Sequence, residues 1–360
     1  MTKTKKNHPT DIYYARNYEL IRPKQQKLLP INEKHEQKFV PIKVPNEWIT
    51  GSGSRIVALF HKTGNEIVCP HFWELKAWIG CPFQCSYCYL QGTFRGANRK
   101  KPRMKNIEDI SYYLEKFLRW ADSVGLRVLL NAGELADSLA IPEYVSIFLK
   151  IALPILKRHP SHKILFLTKG GTKHINVLEE IPKNMRNRFI VSFSINPDVV
   201  VQKYEKGTAS SADRIKAAKK VIELGYELRI RIDPMIPIEG WILRYIDLIH
   251  KISDEIKISK ISRITIGSLR ALKKTIKFSQ DKSWLIYVNE PSAWGLRIEH
   301  NLRVKMYELV IETLEDIGYR GFIALCKEPP DIWIELQEKG LLDNPGYPGV
   351  WENVMCNCKL

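Results

Sequence analysis

From about residue 74 to residue 270, short apolar β-prone runs alternate with longer amphipathic stretches, and this alternation limits the possible folds more than any other feature. The runs fall at 75–79, 127–131, 163–168, 188–195, 227–233 and 263–267, and the intervening pattern predicts helices at 107–123, 142–158, near 173–181, 211–224 and 241–256. A short helical piece follows the sixth run. Strands with little in/out periodicity, each separated from the next by a helix, argue for a parallel sheet covered by helices. Six such units predict an α/β fold of the open, partial-barrel kind. The helix boundaries carry matching chemistry. Asn106 and Ser210 supply acceptors at N-termini, and Gly125 and Gly225 suit the left-handed turn after a C-terminus.

The flanks read differently. Residues 1–50 are rich in Lys, Gln, Pro and Asn without a sustained period, so residues 1–73 are expected to form a basic N-terminal extension, 74–270 the α/β core, and 271–360 a region that closes or extends the barrel. Within that last region, 281–300 predicts a hairpin or loop carrying Trp284, Tyr287 and Trp294, followed by a helix at 302–317 and a strand at 322–325. A content of 44% hydrophobic and 26% charged residues excludes wholesale disorder. No run approaches the roughly 18 apolar residues of a membrane span; the greasiest, 146–156, is broken by Lys150 and Pro154. The basic first ten residues lead into no apolar stretch and predict no secretory signal. A cytoplasmic, reducing location is therefore expected, where seven cysteines read as metal ligands or reactive thiols and not as a disulfide framework.

Three of those cysteines, Cys81, Cys85 and Cys88, stand at C-x3-C-x2-C spacing directly after the first strand. Three thiolates on one short loop can hold three irons of a [4Fe–4S] cluster and leave the fourth iron open to an outside ligand. A structural zinc site would require a fourth ligand, commonly from a second Cys pair, and a redox Cys85-x-x-Cys88 would leave Cys81 without a role.

This loop, with Tyr87 directly before the third cysteine, resembles the signature of the radical S-adenosylmethionine (SAM) superfamily. Further motifs sharpen the likeness: Cys81-Pro-Phe-Gln-Cys-Ser-Tyr-Cys-Tyr-Leu-Gln91, Leu167-Thr-Lys169, Phe193-Ser-Ile-Asn196, Tyr204-Glu-Lys-Gly-Thr208, Arg214-Ile-Lys-Ala-Ala218, Gly225-Tyr226 and Glu239-Gly-Trp241. Together, over roughly 75–270, they resemble the spore photoproduct lyase (DNA repair photolyase-like) family. The resemblance implies a partial (βα)6 TIM-type barrel, a [4Fe–4S] cluster, and reductive cleavage of SAM to a 5′-deoxyadenosyl radical. By match to the motifs, Cys81, Cys85 and Cys88 would ligate the cluster, Tyr87 would pack near the adenine, Lys169 would meet the SAM carboxylate, and Ser194 or Asn196 would touch the ribose side. It also implies a reductant such as flavodoxin or ferredoxin. Lys169 could equally be a plain lysine at a strand end, and Ser194 and Asn196 turn formers ahead of Pro197.

After the second strand the chain reads Leu130-Asn-Ala-Gly-Glu-Leu-Ala-Asp137. In the lyases the matching stretch carries a cysteine that returns a hydrogen atom to the product radical, and here Glu134 falls on or beside that position. The segment is similar instead to the Gly-Gly-Glu element of the wider superfamily, whose carboxylate accepts from the SAM ammonium; the plainer reading of Glu134 is a helix N-terminal acid. Tyr87 and Tyr89 match a tyrosine pair proposed in the lyases to relay a radical, or are core aromatics. Cys69, Cys326, Cys356 and Cys358 remain, and they could ligate an auxiliary iron–sulfur cluster, donate a hydrogen atom, or be inert.

The net charge of +17 is concentrated: residues 1–43 hold ten Lys and Arg against four acids, and 95–105 holds six bases and no acid. The second run begins seven residues after Cys88, so it is expected at the rim of the cluster-bearing mouth, where it could engage a nucleic-acid backbone while aromatics of 281–300 stack on bases. The alternatives are radical SAM modification of a peptide or protein, with the basic rim recognising acidic residues, and a non-catalytic iron–sulfur protein that binds nucleic acid.

Overall fold

A computed structural model describes residues 11–15, 39–49, 56–61, 63, 66–96, 101–346 and 351–360. Its centre is an eight-stranded sheet whose spatial order follows the chain: β1 (Val57–Phe60), β2 (Phe72–Leu75), β3 (Leu129–Asn131), β4 (Lys163–Thr168), β5 (Phe189–Ser194), β6 (Glu227–Met235), β7 (Ile261–Ser268) and β8 (Phe322–Leu325). β1 pairs antiparallel with β2, and every later pair is parallel. The crossovers between them carry α1 (Ile107–Ser123), α2 (Pro142–Arg158), α3 (Ser211–Glu223), α4 (Trp241–Glu255) and α5 (His300–Asp316). This is the expected mixed α/β fold with a mostly parallel central sheet. The caps behave as read: Asn106 accepts from Asp109 N at 2.9 Å and Ser210 from Asp213 N at 3.2 Å, while Gly125 and Gly225 sit at φ +68° and +90°.

Two local readings change. The expected first strand at 75–79 is split: β2 ends at Leu75, and Trp78–Ile79 forms a separate antiparallel pair with Arg103–Met104. A buried ion pair between Glu74 and Lys76 at 2.8 Å lies at the break. The region 281–300 does form a hairpin, with Glu290–Ser292 against Gly295–Arg297, but Trp284 is fully buried with its indole N–H on Asp281 O at 2.8 Å. It cannot stack on a base. Tyr287 meets Tyr204 edge-on, and Trp294 alone of the three lines the cavity described below.

The open sheet is drawn together at one point by an antiparallel bridge in which Val68 N donates to Glu328 O at 2.8 Å, linking the β1–β2 connection to the end of β8. Inside the sheet, Arg229 and Arg231 share one face of β6, and Arg263 and Thr265 share one face of β7, by the two-residue period of a strand. Such residues inside apolar runs require partners, and the segment 351–360 provides them. Arg229 Nη1 donates to the carbonyls of Asn357 (2.8 Å) and Lys359 (2.7 Å), and Arg263 Nη1 to that of Lys359 at 2.6 Å. Asn357 is wholly buried, bonded to Ser192, Ile230 and Thr265 on three neighbouring strands. Leu360 packs against Leu129, Leu165 and Ile190. The tail thus enters the interior with both its backbone carbonyls and the Asn357 and Leu360 side chains. Among the described residues no helix is long and apolar enough to cross a membrane.

Candidate active site

At the C-terminal ends of the parallel strands lies a cavity of about 270 Å³ lined by all seven cysteines of the chain together with Tyr87, Tyr89, Glu134, Lys169 and Ser194. Parallel α/β folds place their sites at this end, where loops diverge from a rigid sheet.

The Cys81–Cys88 loop is fixed at several points. Gly80 enters it at φ +87°, a conformation that favours glycine. A two-residue antiparallel pair sets Cys85 opposite Glu205 and Gln84 opposite Lys206. Gln91 Nε2 donates to the carbonyls of Cys85 (3.1 Å) and Ser86 (2.7 Å), and Ser86 N donates to Tyr204 O at 2.8 Å. The short helix Leu90–Thr93 that follows presses on Lys273–Phe278: a Cβ on Gly92 would stand 2.6 Å from Thr275 N. Three cysteines are thereby presented to one cavity from a single braced turn.

Sequence reasoning missed the residue that organises the wall beside this loop. Glu205 is fully buried; its Oε1 accepts from Lys169 Nζ at 3.0 Å, from Asn196 Nδ2 at 2.9 Å and from the Tyr87 hydroxyl, and its Oε2 lies 2.6 Å from Arg214 Nη2. Burial pushes its pKa up, but the Lys169 and Arg214 charges, with the Tyr87 and Asn196 bonds, outweigh that and hold it well below the ordinary glutamate value. Lys169 Nζ also donates to Ser194 Oγ at 2.6 Å, so two of its three protons are placed and one is left toward the cavity. Asn196 does not line the cavity; it lies behind the wall, with Glu205 and Tyr245 as partners. The available signal was Glu205's place inside the Tyr204-Glu-Lys-Gly-Thr208 motif.

On the other side, Glu134 lies 3.6 Å from Lys327 Nζ, and its backbone carbonyl accepts from the Tyr89 hydroxyl. Tyr89 keeps 37% of its surface exposed, whereas Tyr87 is buried. Asp137, three residues beyond Glu134, ties this loop to the end of β4 by accepting from Thr168 Oγ1 (2.7 Å) and Lys169 N (2.6 Å). Ser138 ties the same loop to β4 as well, donating from its N to Leu167 O and accepting from Leu167 N at its Oγ, each at 2.9 Å.

Of the basic run, Arg99 and Lys100 lie outside the described residues, as does most of the N-terminal extension. Arg95, Lys101 and Arg103 are exposed, and Arg103 pairs in register with Ile79, two residues before Cys81. Like-charged Lys76 and Arg103 assist burial in lowering the Lys105 pKa to about 8, with burial the larger cause.

Comparison with known proteins follows the same lines. A sequence model of the family described as spore photoproduct lyase matches residues 73–291. The chain is 29% identical over 191 residues to the spore photoproduct lyase of Clostridium acetobutylicum, covering 51% of this chain and 52% of that one. To the enzyme of Bacillus subtilis it is 32% identical over 176 residues, 48% of each chain. The chain therefore spans about half the length of these curated relatives. Among solved structures, a spore photoproduct lyase complexed with dinucleoside spore photoproduct superposes with TM-score 0.60 at 20% identity, over 71% of this chain and 76% of that one.

Proposed function

Because the chain belongs to the spore photoproduct lyase family, we propose that it is a radical SAM enzyme that holds a [4Fe–4S] cluster on Cys81, Cys85 and Cys88 and acts on a nucleic acid. The observation that carries this reading is one cavity containing three thiols from a single braced loop, a carboxylate on one side and an ammonium group on the other. Such a cluster, with one iron open, takes the amino and carboxylate groups of SAM and on one-electron reduction supplies a 5′-deoxyadenosyl radical. The donor set fits: thiolates are the ligands of such a cluster, and Cys81, Cys85 and Cys88 reach one cavity from a single loop.

The chain's own residues then have separable tasks. Glu134 would accept an N–H of the SAM amino group, in place of its loose 3.6 Å contact with Lys327. Lys169, held by Ser194 and Glu205, would donate a hydrogen bond to the SAM carboxylate. Tyr87, its hydroxyl fixed on Glu205, offers its ring to the adenine, and Ser194 borders the ribose. Asn196 positions Glu205 and does not itself touch the cofactor. Tyr89, whose hydroxyl donates to the Glu134 carbonyl, would serve with Tyr87 as the radical-relaying tyrosine pair.

A nucleic-acid substrate is supported by the relative solved with dinucleoside spore photoproduct and by exposed Lys101 and Arg103 beside the cluster loop. Cleavage of the thymine lesion itself is not assumed, because Glu134 stands on or beside the family's hydrogen-donating cysteine. The test is anaerobic reconstitution, reduction in the presence of SAM, and assay for 5′-deoxyadenosine, followed by deuterium transfer from labelled DNA or tRNA. Product from wild type and none from Cys85→Ala is expected. No product from wild type, or equal product from Cys85→Ala, sinks the assignment; label from a protein pool only would move the substrate class.

A further inference from the structure

Four of the cavity's cysteines have no task in the reading above, and they come from three separate parts of the chain. Cys69 lies in the β1–β2 connection, where the Val68–Glu328 bridge sets it beside the end of β8, the location of Cys326. Cys356 and Cys358 flank Asn357, the residue that anchors the tail to three strands, in a turn closed by Lys359 N on Cys356 O at 3.2 Å. Cys69, Cys326, Cys356 and Cys358 all line the same cavity. The sulfur neighbours of Cys81 are Cys85 and Cys88. The seven cysteines form two groups.

Guanidinium, amide and ammonium groups stand around the sulfurs of the second group. Cys358 Sγ lies 3.3 Å from Arg231 Nη2 and 3.5 Å from Asn131 Nδ2, and Cys326 Sγ lies 4.0 Å from Arg270 Nη2. Lys327 stands beside Cys69 and Cys326, while the acids Asp233 and Glu134 are already paired with Arg270 and Lys327. N–H donors and fixed cations around sulfur are what orient thiolate ligands and balance the negative charge of a thiolate-bound cluster. None of the four is in a disulfide.

We infer that Cys69, Cys326, Cys356 and Cys358 form a second iron–sulfur site, fully ligated by cysteine and independent of the Cys81–Cys88 loop. With four protein ligands it leaves no iron open, so it does not bind SAM, and it fastens the tail inside the barrel.

The test separates this site from the loop. The Cys81→Ala/Cys85→Ala/Cys88→Ala variant, reconstituted anaerobically, is expected to hold iron and acid-labile sulfide in equal amounts, about two or four of each per chain. Its reduced EPR signal should not respond to SAM. Should that variant fail to fold, Cys356→Ser/Cys358→Ser decides the matter: it is expected to lose the SAM-insensitive iron and keep the loop's. Wild-type protein holding about four irons, all SAM-responsive, overturns the inference while leaving the proposed activity intact. Full iron retention by Cys356→Ser/Cys358→Ser, or zinc in place of iron in the purified protein, overturns it too.

Discussion

Glu205 is the side chain whose removal has the most calculable effect. It is buried beside Arg214, also fully buried, at 2.6 Å, and it receives Lys169, Asn196 and Tyr87 besides. Glu205→Gln keeps the volume and removes the charge, so Arg214 is left as an uncompensated buried cation even though the carbonyls of Ala209 (3.0 Å) and Ser194 (2.9 Å) still accept from it. Breaking one side of a buried pair costs about 3–5 kcal/mol, roughly two to four decades in the unfolding constant. Urea unfolding of the reduced, anaerobic apoprotein measures it. Glu205→Gln/Arg214→Met should be less destabilised than Glu205→Gln alone, because the orphan charge is gone. The pH dependence follows from the sign of the shift. A carboxylate with a depressed folded pKa contributes fully above its unfolded value of about 4.3, and loses that contribution as pH falls toward the folded value. The Glu205→Gln protein should therefore show a flatter acid limb than wild type. A loss under about 1 kcal/mol, or parallel acid limbs, would refute the claim that Glu205 is an ionised hub.

Asn357→Ala strips partners from Ser192, Thr265 and Ile230 and should cost about 2 kcal/mol or more in urea; a change below about 0.5 kcal/mol would mean the tail is not seated there. Gly92→Ala forces a Cβ onto Thr275 N and should destabilise by about 1–3 kcal/mol and loosen iron retention by the loop; unchanged iron release under chelator challenge would count against the bracing role. Neutralising Lys100, Lys101 and Arg103 should lower the slope of log K against log salt for polynucleotide binding by up to about three, without reducing uncoupled 5′-deoxyadenosine formation. Equal loss of both would make the run structural.

What the sequence discloses here depends on range. The strands at 163–168 and 322–325 and the helix at 142–158 match the structure residue for residue, because their apolar spacing and boundaries are local properties. The three loop cysteines are legible for the same reason. Glu205 is not, since its burial follows from a two-residue pairing with Gln84 and Cys85, about 120 positions away, which no local period records. The tail's seat inside the barrel left one readable trace: Arg229, Arg231 and Arg263 interrupt apolar strands, and buried guanidinium groups need carbonyl or carboxylate partners from somewhere. Trp284 failed in the opposite sense. An aromatic in a region read as a loop was taken as available to a ligand, and it closes a small local core instead.

The tail that fills the barrel also sets an order of assembly. Asn357 meets Ser192 across 165 residues and Ile230 across 127, so the interior is closed by contacts of very high sequence separation, made by the part of the chain that follows every strand. Long-range closures of this kind form late and slowly. Before the segment docks, Arg229 and Arg263 lack the carbonyls that receive them, and water must take that place. Two of the cavity's thiols are delivered only when that segment arrives.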